Sequence, residues 1–349
     1  MKGRGAVTSP DGRFATQNVE LEEEEARRRS EVAPTTVLHA MPVKSIVSRN
    51  DSPDVPFSRS INPYQGCEHG CIYCYARPSH AYLDLSPGLD FETQIFFKPD
   101  AAQRLLETWE KPGYECEPIT IGANTDPYQP AEREKRVTRE LLELFAAHRH
   151  PVSLITKGTL IERDIDLIAD LATDRLCSVA ISLPTLKDDL KRIMEPRVPS
   201  AAARLRSIER LAAVNVPVSV LMAPIIPAIN DDEIEKVLES AAGAGASQAA
   251  YIFLRLPFEV AGIFDAWLRQ HFPDRAERVM SLVRQASGGR DYDNRFGVRQ
   301  TGRGPYAELL GQRFANTCKR LNVRYGEYQQ GLDRSKFVHP GQRQLDLGL

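Results

Sequence analysis

From residue 57 onward, short apolar runs alternate with amphipathic stretches, and no other feature constrains the fold so strongly. The apolar runs 58–64, 118–123, 152–156, 176–183, 216–226 and 249–256 read as strands. Between and after them, 100–110, 132–148, 162–171, 201–214, 232–242 and 261–272 carry helical periodicity. Asn230 or Asp231 is placed to cap the fifth helix, and Gly243 to end it. Strand and helix alternating six times predict an α/β chain with a parallel sheet and helices outside. Six such units fit an open doubly wound sheet or an incomplete barrel. In both, ligands bind beyond the carboxyl ends of the strands. Beyond this alternation no fixed-period repeat is present.

The flanks read differently. Residues 1–56 are expected to form an extension, partly disordered or extended. Glu23–Arg27, Glu24–Arg28 and Glu25–Arg29 are i,i+4 pairs in the favourable order for a short solvated helix. Pro42, Pro53 and Pro56 then favour extended chain. Residues 57–272 are expected to be the core domain. Residues 273–349 read as a helical and irregular appendage with a helix over 305–321. Residues 290–343 hold eleven Lys or Arg against five Asp or Glu. Tyr292, Phe296, Tyr306, Tyr325 and Tyr328 are interleaved with this charge. That stretch is either a solvated surface balancing the acidic N-terminal segment or a phosphate-facing patch.

Whole-chain charge narrows the class. Lys plus Arg is 45 and Asp plus Glu is 47, a net −2 that excludes a wholly basic nucleic-acid coat. No apolar run reaches the roughly 18 residues of a membrane span. The first residues lack the apolar stretch of a secretory signal, so the expected location is the cytoplasm, with no membrane partner. Structural disulfides are rare there, and 349 residues can bury a large core without them.

Three of the six cysteines nevertheless crowd together. The segment Ile61-Asn-Pro-Tyr-Gln-Gly-Cys67-Glu-His-Gly-Cys71-Ile-Tyr-Cys74-Tyr-Ala-Arg77 follows the first expected strand, on a loop at its carboxyl end. Thiolates this close suit zinc or an iron–sulfur cluster. Gly66 and Gly70 allow the backbone to turn tightly around a bulky group. Three thiolates would satisfy three irons of a cubane and leave the fourth open to an external ligand. Structural zinc takes four protein ligands, and His69, cramped between Cys67 and Cys71, reads as a loop residue instead. Cys116, Cys177 and Cys318 have no ligand spacing, and Cys177 reads as a small core hydrophobe.

The segment resembles the radical S-adenosylmethionine signature C-x3-C-x-aromatic-C, with Tyr73 at the aromatic position. Asn62 to Cys67, followed by Gly70 to Arg77, is similar to the subgroup related to spore photoproduct lyases, often labelled DNA repair photolyase-like. The resemblance implies a partial (β/α)6 TIM-type barrel with a 4Fe–4S cluster held by Cys67, Cys71 and Cys74. It further implies S-adenosylmethionine bound at the open iron and cleaved by one electron from a reductant such as flavodoxin or ferredoxin. The resulting 5′-deoxyadenosyl radical would abstract hydrogen from substrate, with nucleic acid the favoured class. A peptide or small-metabolite substrate is the alternative, and a non-catalytic iron–sulfur or zinc module the rival of another class.

The same resemblance nominates further cofactor contacts. Asn124, Thr125 and Asp126, after the second strand, would approach the methionine amino group; the bland reading is an Asp-Pro turn. Lys157 would pair with the methionine carboxylate, or be an exposed loop lysine. Ser182 would reach the ribose or carboxylate, or be a plain strand-end hydroxyl. Ile225 and Ile226 would line the adenine, or pack in the core. Tyr73 and Tyr75 read as stacking, radical-relay or packing groups. One departure stands out. Spore photoproduct lyases carry a hydrogen-returning cysteine where this chain has Ala123. The same hydrogen relay is therefore not expected here.

Overall fold

The computed structural model describes residues 4–14, 34–326 and 331–342. The expected helix over the Glu23–Arg29 pairs, and Tyr328, lie outside the described residues.

Eight strands form the main sheet, in the order β11-β10-β9-β8-β7-β6-β3-β2. These are β2 (Val47–Arg49), β3 (Arg59–Ile61), β6 (Ile119–Ile121), β7 (Val152–Thr156), β8 (Cys177–Ser182), β9 (Val218–Ile225), β10 (Gln248–Phe253) and β11 (Arg324–Tyr325). Every neighbouring pair from β3 to β11 is parallel, and β2 alone runs antiparallel. A smaller sheet joins β1 (Val37–Ala40), β5 (Gln94–Phe97) and β4 (Tyr64–Gln65).

Ser60 of β3 and Phe253 of β10 stand at opposite ends of the six-strand run, yet both line one cavity. The sheet therefore wraps around that cavity. No pairing joins its two edges among the described residues. This is the α/β, partial (β/α)6 TIM-type arrangement, ligand-bearing at the carboxyl ends of its strands.

Local chemistry explains the elements. All six residues of β8 are buried, which is why its sequence is a continuous run of small and apolar residues rather than an alternating one. Helix Ala101–Trp109 buries Ala101, Leu105 and Trp109, one position per turn. Helix Ala201–Ala213 starts at Ser200, whose hydroxyl accepts from the Ala203 N–H at 3.2 Å.

Several boundaries differ from expectation. The stretch 132–148 is two helices, Glu132–Lys135 and Val137–Ala147, broken at Arg136, whose φ of 54° lies in the left-handed region. The fifth helix has no side-chain cap; Asn230 instead accepts from the Ile226 N–H and donates to the Pro184 and Pro224 carbonyls. Gly243 does end that helix, as its last residue, and Gly245 takes the positive φ beyond it. The C-terminal region enters the core: β11 extends the sheet, and Leu310, Phe314 and Cys318 of helix Pro305–Arg320 join the main cluster.

Candidate active site

After β3 the chain turns through Asn62 and Pro63 into β4 and then the cysteine loop. Gly66 and Gly70 have φ of 82° and 64°. A Cβ at Gly70 would stand 2.6 Å from Glu92 Oε2, so only glycine fits. Arg77 sits inside the loop's curve, with no exposed surface. It donates to the carbonyls of Gly70, Cys71, Pro87 and Gly88 and to Glu92 Oε1. Glu92 in turn accepts from the N–H groups of Gly5 and Ala6. Gln129 completes the frame, donating to Gly66 O and accepting from Glu68 N–H.

The three thiols are free, and all line a cavity of about 420 Å³. Burial pushes each of them up; at Cys67 and Cys71 nearby negative groups add to it. Three thiols raised in this way ionise together only if a cationic centre binds them. Three thiols lining one cavity suit a multi-iron group. Cys116 precedes β6, at its amino end, while Cys177 and Cys318 are buried in the core.

Most of the other sequence-predicted residues meet in the same cavity. Tyr73, Asn124, Thr125, Asp126, Lys157 and Ser182 all line it. Their freedom to bind differs. Asp126 is saturated: it accepts from Thr156 Oγ1 (2.6 Å), Tyr128 N–H (2.9 Å) and Lys157 N–H (2.7 Å) and faces His69 Nδ1 at 3.2 Å. Burial opposes its charge, but His69 and these hydrogen bonds bring it down to about 2. It ties the turn after β6 to the carboxyl end of β7. Thr125 donates to Tyr64 O at 2.6 Å. Among the described residues, Asn124 is held only through its backbone, by Asn62 Oδ1 at 2.8 Å, which leaves its amide available.

Lys157 is half-buried, with Nζ 5.8 Å from the Tyr73 ring centre. Burial opposes its charge, yet the Cys71, Glu195 and Asp126 groups outweigh that and hold it above the usual lysine range. Ser182 Oγ makes one long contact, 3.4 Å from Ala223 O. Ile225 and Ile226 were expected against the cofactor and are not there. They have no exposed surface and belong to two of the core clusters. Leu221 and Ala223, which alternate with core-facing Met222, and the following Pro224 take the cavity face of β9 instead.

Glu195 and Arg204 brace two cavity residues from behind, and sequence reasoning missed them. Tyr73 Oη donates to Glu195 Oε1, and Arg204 Nη2 lies 2.9 Å from Glu195 Oε2. Arg204 Nη1 donates to Ser182 O at 2.9 Å. Burial disfavours the Glu195 charge, but Arg204 and Lys157 overcome it. One signal was available: Arg204 occupies the buried face of its helix with Ala201, Ile208 and Leu211. A charge on an apolar stripe calls for a buried partner.

The cysteine loop follows a strand of a parallel sheet and its three thiols face one cavity, an arrangement suited to holding a metal–sulfur group. Residues 61–241 match the radical SAM superfamily, and the chain belongs to that family. It is a radical SAM enzyme. An uncharacterised protein of Mycobacterium tuberculosis is 37% identical over 233 residues, covering 66% of this chain and 68% of the relative. An uncharacterised protein of Methanocaldococcus jannaschii is 25% identical over 219 residues, 63% and 78% of the two chains. Among solved structures, a cysteine-to-serine variant of spore photoproduct lyase aligns with a TM-score of 0.60 at 15% identity, over 90% of this chain and 88% of that one. Spore photoproduct lyase complexed with dinucleoside spore photoproduct aligns with a TM-score of 0.59 at 14% identity, over 82% and 81%. These two share the fold. No helix of the described residues is long and apolar enough to cross a membrane.

Proposed function

We propose that Cys67, Cys71 and Cys74 hold a 4Fe–4S cluster, with S-adenosylmethionine bound beside it in the same cavity. The observation that carries this reading is the meeting of three free thiols, a charged Lys157, Ser182 and an uncommitted Asn124 amide around one space. When bound and reduced, the cluster supplies one electron for cleaving the sulfonium. The chain's own residues bind, orient and exclude water. Lys157 pairs with the methionine carboxylate, and the Asn124 amide accepts the amino group. Ser182 is a further polar contact, while Ala223 and Pro224 give the adenine an apolar face. Asp126 and Thr125 act indirectly by fixing the turn that presents Asn124. Glu195 holds the Tyr73 ring beside Lys157 through the tyrosine hydroxyl.

Nucleic acid is the proposed substrate class. Both fold neighbours are spore photoproduct lyases by name, and one is complexed with dinucleoside spore photoproduct. The cavity is lined by Lys157, Arg255 and Arg299, with Asp126 its one acid among the described residues. The general basic excess supports this less than its sequence promised. Arg295, Arg299, Arg313, Arg320 and Lys336 are each paired with a carboxylate. Ala123 lines the cavity and carries no thiol, so hydrogen return by a cysteine at that position is not part of this reading. The proposed compartment is the cytoplasm, with a flavodoxin- or ferredoxin-type protein as electron donor.

Anaerobic reconstitution tests the ligand set. Iron and sulfide near four each per chain support it, with both lost when Cys67, Cys71 and Cys74 are replaced by alanine. Full iron retention in that variant would refute it.

A further inference from the structure

The geometry points to Arg255 as the residue that receives a phosphate group of the substrate, a role that rests on the nucleic-acid reading above. Arg255 follows β10 and lines the cavity. Among the described residues it has no carboxylate partner, unlike Arg299, which lines the same cavity paired with Asp54. Its Nε is buried and has no hydrogen-bond acceptor among the described residues. A buried, charged donor left unpaired is costly, so its persistence at a binding cavity marks a group awaiting a ligand.

The guanidinium is also held in place. Its Cζ lies 5.2 Å from the Tyr75 ring centre and 5.7 Å from that of Tyr292, and Nη2 donates to Tyr292 Oη at 3.0 Å. Tyr75 is anchored in turn by its hydroxyl, which donates to Ala123 O at the end of β6. Two rings thus position a planar cation, leaving forked donors for an anion, the geometry by which arginine takes phosphate. Gln300, on the same cavity wall, has a buried and unpartnered Oε1. A buried acceptor beside an unpaired arginine fits a ligand with both donors and negative charge, as a base and its phosphate provide. Phe57 and the 40%-exposed Tyr75 supply aromatic surface for stacking.

Lys157 is the nearer choice for the carboxylate of the cosubstrate, since it lies beside Tyr73 and feels the Cys71 sulfur. The two cations therefore divide the anions between them.

The test measures binding of a 5′-fluorescein-labelled single-stranded oligothymidylate by anisotropy. It uses the reconstituted holoenzyme and the variants R255Q, R255K and Y292F. R255Q should bind about tenfold or more weakly, by the loss of a charge-assisted hydrogen bond. R255K should recover part of this, and Y292F should lose about threefold through a less fixed guanidinium. The slope of log affinity against log salt should shrink by about 0.7 in R255Q, one phosphate contact fewer. S-adenosylmethionine affinity and iron content should be unchanged. Unaltered oligonucleotide affinity and salt slope in R255Q would overturn the assignment. So would weakened S-adenosylmethionine binding with intact oligonucleotide binding, which would move Arg255 to the cosubstrate. A wild-type enzyme that cleaves S-adenosylmethionine but binds no oligonucleotide would overturn the phosphate role while leaving the radical chemistry standing. Failure of that cleavage itself would be a failure of the parent reading.

Discussion

Arg77 Nη2 lies 2.6 Å from Glu92 Oε1, and neither side chain has any exposed surface. The pair joins the cysteine loop to helix Asp90–Thr93 and, through Glu92, to the backbone of Gly5 and Ala6. Replacing Arg77 with alanine leaves a buried carboxylate facing two N–H groups and frees four carbonyls. Removing one partner of such a pair costs about 3–5 kcal/mol. Urea unfolding should register that loss, and iron content after reconstitution should fall steeply. A variant with native stability and full iron would show that the loop holds its shape without this brace.

Lys157→Ala should weaken S-adenosylmethionine binding by about tenfold or more, the worth of a hydrogen bond to a charged group. Iron content should stay at the wild-type level, because Lys157 ligates nothing. Equilibrium dialysis reads the first and iron counting the second. Equal affinities in variant and wild type would remove Lys157 from the cofactor site.

Asp54 ties its own loop to the loop that carries Gly297 and Arg299. Its Oδ1 accepts from Gly297 N–H at 2.6 Å and its Oδ2 from Arg299 Nε at 2.5 Å. Asp54→Ala should speed tryptic cleavage after Arg295 and Arg299 while lowering global stability by only about 1–2 kcal/mol. Cleavage at the wild-type rate would mean that the loop is held by other contacts.

His150 links pH to stability. It stacks on Trp109 with ring centres 4.7 Å apart and hydrogen-bonds to Tyr114 Oη at 2.8 Å. Burial lowers its pKa from 6.5 to about 3. Between those values the unfolded chain takes up a proton that the native chain refuses. Its contribution is therefore intact above pH 6.5 and is lost as pH falls toward 3. The urea midpoint should drop between pH 7 and pH 5 more in wild type than in His150→Gln. Parallel drops would show that His150 titrates normally.

Much of this was legible before any coordinates. Strand β7 falls on the expected 152–156, because a five-residue apolar run bounded by a proline and a Lys-Gly turn has little room to shift. The cysteine loop was legible because its chemistry depends on local spacing. Ile225 and Ile226 were misplaced for a different reason. Where a strand is buried on both faces, apolar character cannot say which residues face the cavity. Glu195 and Arg204 stayed hidden because their pairing spans two helical units, and nothing in a local pattern links them. Asp126 was found with two readings open, ligand contact or Asp-Pro turn, and only the turn geometry shows that both its oxygens are already committed.

The most direct test of the central claim is a dithionite assay for 5′-deoxyadenosine on the anaerobically reconstituted protein, beside its Cys67/Cys71/Cys74→Ala variant. The account predicts 5′-deoxyadenosine from the wild type and none from the variant. A fully assembled cluster that neither binds nor cleaves S-adenosylmethionine, with several reductants tried, would contradict it.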